Sequence, residues 1–336
     1  MLSSIGRSNT NALLISILSP AFLIAVLAFS GGPGYWLDLQ WVLLLVGGEI
    51  ALLLMGFPWP EIRRSVARAA NRSVEAGDSA RSCYFWEAAA RNAVNLGVLG
   101  TLVGFVTQVC SDTGGLSGFP AAFGRALLST TYGIVLASIF GMISLKFRLG
   151  IPTADTPDPA ETWEQAPQSS GFWSHGLGYI LFLGLFLWIL FSSVPAGPYR
   201  PVDWFVHWPA WLVVLGGTIA LALLSGSSFI GTALVPGFAF TGILGSFLGI
   251  GQALQGFSAA KIQMVAQGIT FMISSCFAVL AGLLAVAYPL LDRSRDRRSM
   301  LLLRVVWYGF PVLTLLLIAT AAVMVMIPIK IENAGP

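Results

Sequence analysis

Two stretches of this chain set a hydroxyl into a glycine notch. In 96-LGVLGTLVGF-105 the notch is made by Gly97, Gly100, Thr101 and Gly104, and 241-TGILGSFLGI-250 repeats it with Gly242, Gly245, Ser246 and Gly249. Residues three, four and seven apart share one face of a helix, so each set forms a narrow stripe. The following apolar segment carries a matching stripe of Ala126, Thr130, Gly133, Ala137 and Gly141. Small residues let helix backbones approach closely in a bilayer, and hydroxyls hydrogen-bond across the contact. Mid-helix Ser and Thr also bond their own preceding carbonyls. Spacing alone therefore leaves two readings open, a packing device and a polar path between facing helices.

Other chemistry is sparse. Glu49 is the one carboxylate deep in an apolar segment, and an ionisable residue there points to function by default. It reads either as a proton relay or as a packing acid kept protonated. Cys83, Cys110 and Cys276 have no paired spacing, so neither a metal site nor a disulfide framework follows. His175 and His207 fall near the ends of apolar segments, where interfacial filling is the plainer role. No nucleophile–base constellation is present, so neither catalysis nor a bound cofactor or metal is expected.

The elements that must position these residues are membrane helices. The chain has 336 residues, 56% hydrophobic and 10% charged, with mean hydropathy +0.80; soluble domains carry about 25% charged residues. An all-α integral membrane protein follows. At about 20 apolar residues per span, the candidates are 11–30, 37–56, 93–110, 121–146, 172–194, 204–225, 237–255, 264–290 and 304–328. The first lacks a cleavage site and is expected to be retained. Positive residues favour the cytoplasmic side. A cytoplasmic N-terminus puts Arg7, Arg63, Arg64, Arg68, Arg72, Arg81, Arg91, Lys146, Arg148 and the cluster Arg293–Arg304 inside, leaving Arg125, Arg200, Lys261 and Lys330 outside. The C-terminus is then periplasmic. The net charge of +3 reflects this topology, and no basic face for nucleic acid is visible.

The notch belongs to a longer duplication. Gly97, Gly100, Thr101 and Gly104 fall on Gly242, Gly245, Ser246 and Gly249, while Gly124, Thr130 and Thr131 fall on Gly268, Ser274 and Ser275. Upstream, 47-GGEIAL-52 matches 216-GGTIAL-221, setting Thr218 where Glu49 stands. The chain divides into a first four-helix unit at 1–150 with a cytoplasmic segment at 57–92, a Pro/acidic linker at 151–171, a second unit at 172–291, and a basic loop with an extra helix at 292–336. An even number of spans per copy makes the repeats parallel. The second copy is expected to have only a short Ser/Gly connection at about 225–236.

Together, LGTLVGFV and 126-ALLSTTYGIVLAS-138 resemble the paired core helices of the MotA/TolQ/ExbB proton-channel family. The stretch 213-VVLGGTIAL-221 is similar to the second helix of its MotA branch, and the helix order matches. The resemblance implies a homo-oligomeric ring in the bacterial inner membrane. That ring surrounds the Asp-bearing transmembrane helix of a MotB/ExbD/TolR-like partner, and H+ or Na+ passes the aspartate to drive a flagellar stator-like motor. It further implies that Thr101, Thr130 and Thr131, with Ser246, Ser274 and Ser275 in the second copy, lie along the ion pathway. Neutral hydroxyls suit this role, because they bond both charge states of a carboxylate at little desolvation cost.

The chain departs from the family in places. Val94 and Ala239 stand where the family has proline, and Phe277 stands at the position of Gly133. Arg63, Arg64 and Arg68 form either a cytoplasmic partner contact or a solvated helix face. Two other functions compete with the motor, a non-conducting scaffold and a two-repeat transporter.

Overall fold

In a computed structural model, the structure describes residues 39–70, 76–110, 115–149, 172–192, 205–224, 230–258, 262–294, 309–320 and 323. Among these residues every regular element is helical. The first expected span, 11–30, and the linker at 151–171 lie outside them.

The helices are α1 (Leu39–Gly56), α2 (Trp59–Ala70), α3 (Ala76–Cys110), α4 (Gly115–Leu149) and α5 (Phe172–Ser192). They are followed by α6 (208–224), α7 (Ile230–Ser258), α8 (262–294) and α9 (Gly309–Thr320). Two helices hold a π turn, α6 at Leu212–Gly216 and α8 at Leu283–Ala287. Four stretches are long and apolar enough to cross a membrane: Arg81–Thr107, Ala126–Phe147, Leu234–Gly256 and Gln263–Asp292. Shorter apolar helices cover Val42–Gly56, Trp208–Leu223 and Gly309–Thr320. Large apolar side chains lie on the outside, among them Ile50, Ile180, Leu223, Phe240, Phe247 and Leu316. An outer surface of this kind is costly in water and suits lipid.

Several boundaries differ from the sequence expectation. The connection expected at 225–236 is already helical from Ile230, with Pro236 inside α7. Within the segment expected at 57–92, Trp59–Ala70 is helical, and the helix that starts at Ala76 runs without a break into the third span. Arg91, which charge alone assigns to the cytoplasmic side, is fully buried within α3.

The chain forms two compact units, Met1–Gly97 with Thr131–Leu181, and Val98–Thr130 with Phe182–Pro336. In the first unit, α3 and α4 run antiparallel, and α1 and the start of α5 pack beside them. A Cβ on Gly178 would stand 2.7 Å from both Ala51 O and Met55 N, so only glycine lets α5 approach α1 this closely. The Phe57 ring packs on Phe85 at 5.2 Å, and Trp86 meets Phe140 of α4 at 5.5 Å. In the second unit, α7 and α8 form a tight antiparallel pair. A Cβ on Gly268 would meet Ala253 N and Gly249 O, and one on Gly249 would come within 2.6 Å of Met272 N.

The short helix α2 forms for local reasons. Pro58 O accepts bonds from Glu61 N–H at 2.9 Å and Ile62 N–H at 3.3 Å, closing the turn after α1. Pro60 sits in the first turn, where a missing N–H costs nothing. Glu61 near the start and Arg68 near the end complement the helix dipole.

Candidate functional site

The hydroxyls of the first copy meet. In the second unit, Thr101 Oγ1 of α3 lies 2.7 Å from Thr130 Oγ1 of α4 and 2.9 Å from Ala126 O. The Thr130 N–H also points to Thr101 Oγ1, at 3.3 Å. One proton arrangement satisfies all three contacts: Thr101 donates to Ala126 O and accepts from the Thr130 hydroxyl and N–H. The Thr101 hydroxyl thus inserts beside the backbone ladder of α4, between the carbonyl of Ala126 and the amide of Thr130. Both residues are buried, Thr101 completely. Ser129 is also fully buried, and its Oγ has no hydrogen-bond partner among the described residues. Thr131 is half-buried.

One turn away, in the first unit, the same helix pair closes on glycine. A Cβ on Gly133 would lie 2.5 Å from Ala93 O and 3.0 Å from Gly97 Cα. Backbone touches backbone here, so the stripe on each helix is a true contact seam. Gly97, Gly100 and Gly104 are all buried.

The second copy closes differently. Ser246 Oγ donates to Gly242 O of its own helix at 2.7 Å and lies 3.4 Å from Cys276 Sγ. Ser274 instead donates to Phe205 O at 2.9 Å and accepts from His207 N–H at 3.1 Å. Ser275 bonds Phe271 O in its own helix, and its Oγ fills the space beside Gly245. Gly242 faces Val279. Partners that align with Thr101–Thr130 and Gly97–Gly133 are therefore offset by two residues along α8. Phe277 supplies the physical reason. A ring at the position of Gly133 has no room against a neighbouring backbone. It turns instead to Phe205, at 4.4 Å between ring centres, and to Trp211, at 6.4 Å.

The GGE and GGT motifs occupy matching places. A Cβ on Gly48 would stand 3.0 Å from the Leu96 side chain; one on Gly217 would stand 2.7 Å from Thr241. Leu96 and Thr241 align in the duplication. Thr218 Oγ1 lies 2.9 Å from Thr241 Oγ1 and donates to Val214 O at 2.6 Å. Thr241 reaches Val214 O as well, at 3.2 Å. That carbonyl belongs to the π turn, and hydroxyls commonly satisfy backbone groups freed by such turns in membranes. Glu49, the counterpart of Thr218, is 5% exposed.

Sequence reasoning missed a buried polar run on α3. Arg91, Asn92 and Asn95 are all buried. The Arg91 guanidinium donates to Asn92 Oδ1 through Nε at 3.2 Å and Nη2 at 3.1 Å, and Asn95 Nδ2 donates to Arg91 O at 2.9 Å. The available signal was two asparagines at helical spacing beside an arginine, just ahead of the glycine stripe. Thr241 was missed too, because its aligned partner is a leucine. Arg63 and Arg64 are exposed on α2, and Arg68 is half-buried. No protein-family model, curated protein or solved structure matches the chain.

Proposed function

We propose that this protein is the channel subunit of a proton- or sodium-driven motor complex. In this reading it assembles as a ring around the Asp-bearing transmembrane helix of a MotB/ExbD/TolR-like partner. The supporting observation is the Thr101–Thr130 contact at 2.7 Å, which joins two membrane-length helices at the positions carrying the family resemblance. The α4 stretch Ala126–Phe147 is only 33% buried in the single chain, which leaves a long face for neighbouring subunits or the partner. The finer architecture belongs to the same reading: nine spans, two parallel four-helix repeats and a C-terminal helix, in the bacterial inner membrane with the N-terminus inside. The matching contacts of Gly48 with Leu96 and Gly217 with Thr241 support the repeat.

Within this reading the first copy conducts and the second supports it. The offset of Ser246 from Ser274 favours that division. A second reading, a non-conducting scaffold, is favoured by the complete burial of Thr101. Co-expression with an Asp-bearing single-span partner, followed by purification and imaging, tests the proposal. Foreign helices at the centre of a ring, with proton or sodium flux lost on Asp→Asn in the partner, are expected. A lipid-filled or closed centre refutes it.

A further inference from the structure

We infer that α2 is a membrane-surface helix whose Arg63 and Arg64 bind the phosphates of anionic lipids. The inference needs only that the chain spans a bilayer; it is independent of ion conduction. Both ends of α2 are tied to the ends of apolar segments. It starts three residues after Gly56, where the apolar stretch Val42–Gly56 stops. At its far end Lys146 Nζ donates to Ala69 O at 2.9 Å, and Lys146 is one residue from Phe147, where the span Ala126–Phe147 stops. In this inference the ends of the two apolar segments mark one membrane boundary. A helix of 12 residues strung between them, about 18 Å long, runs along that boundary rather than away from it.

The faces of α2 fit this placement. At 3.6 residues per turn, Ile62, Ser65 and Ala69 share the side turned toward the protein, and Ser65 is buried. The uncovered arc runs from Val66 and Trp59, 50% and 57% exposed, through Arg63 and Ala67 to Arg64. An apolar edge with tryptophan grading into arginines is the composition of an interfacial helix. The aromatic and aliphatic groups enter the acyl boundary and the guanidiniums meet phosphate. A water-facing helix gains nothing from an exposed Trp59–Val66 edge. A protein partner would not require the helix to be held level with two span ends.

The test is hydrogen–deuterium exchange of the full chain in nanodiscs of phosphatidylcholine, with and without phosphatidylglycerol. Each basic residue at an anionic surface is worth about fivefold in binding, so two give about 30-fold. Exchange across 59–70 is expected to slow by up to about 30-fold with phosphatidylglycerol. The Arg63→Gln/Arg64→Gln variant is expected to lose that slowing, and Arg63→Lys/Arg64→Lys to keep most of it. Unchanged exchange in α3 reports an intact fold. Equal exchange in the two lipids overturns the inference, as does slowing that survives the glutamine variant. Protection seen only in native membranes also overturns it, and assigns the arginines to a protein partner.

Discussion

The two hydroxyl pairs make a quantitative contrast that mutation can read directly. Thr101→Val keeps the side-chain shape and removes the donor to Ala126 O and the acceptor for the Thr130 hydroxyl and N–H. Cross-helix hydrogen bonds in membranes contribute about 0.6 kcal/mol on average, with a maximum near 1.7. The three lost contacts in a fully buried site then cost about 2 kcal/mol. Thr130→Val removes the contact between hydroxyls, so a cycle of Thr101→Val and Thr130→Val should return a coupling of about 1 kcal/mol. Ser246 and Ser274 bond different partners, Gly242 O and Phe205 O. The cycle of Ser246→Ala and Ser274→Ala should therefore be additive within about 0.5 kcal/mol. Unfolding equilibria in bicelles, followed by circular dichroism, provide the measurement. Thr101→Ser, which keeps the hydroxyl, should restore most of the coupling. Equal couplings in the two pairs, or none in the first, would refute the offset between copies and the pairing on which the functional reading leans.

Three further outcomes follow from the packing. Gly133→Ala should destabilise by about 1–3 kcal/mol, because its Cβ meets backbone at 2.5 Å; Gly141→Ala, with nothing within 4 Å, should be neutral or slightly stabilising, and thermal unfolding in detergent separates them. Phe277→Ala should cost about 3–5 kcal/mol by emptying the space beside Phe205 and Trp211, and a smaller loss in chemical denaturation would show that α8 repacks. Glu49→Gln should leave ion flux in reconstituted vesicles unchanged, because its counterpart Thr218 serves a helix contact; a large loss of flux would make Glu49 part of the pathway.

Much of the helical framework was legible from composition. A run of about 20 apolar residues matches the bilayer's thickness as a helix, the one single-segment form that bonds all its own backbone groups in lipid. The glycine stripes were legible for a related reason: only small residues admit backbone contact, so Gly97 and Gly133 announce a seam before any partner is known. Charge did not reveal the burial of Arg91. Positive-inside counting sees a residue near a span end, and cannot tell that α3 continues unbroken around it and buries its guanidinium against Asn92.

What alignment could not supply is which side chains meet. Thr101–Thr130 and Ser246–Ser274 look equivalent when the copies are superposed letter by letter, yet the first pair is hydrogen-bonded and the two serines bond other partners. Helix register depends on every side chain along the seam at once, and the ring of Phe277 at the place of Gly133 is enough to offset the contact by two residues. The sequence by itself determined an all-helical membrane chain with two glycine-notched helix pairs. The tertiary structure alone decided that one notch pairs its hydroxyl with the aligned threonine of the next helix, while the other donates to its own backbone and meets a cysteine two residues out of register, because cross-helix bonds need a register that no single residue sets.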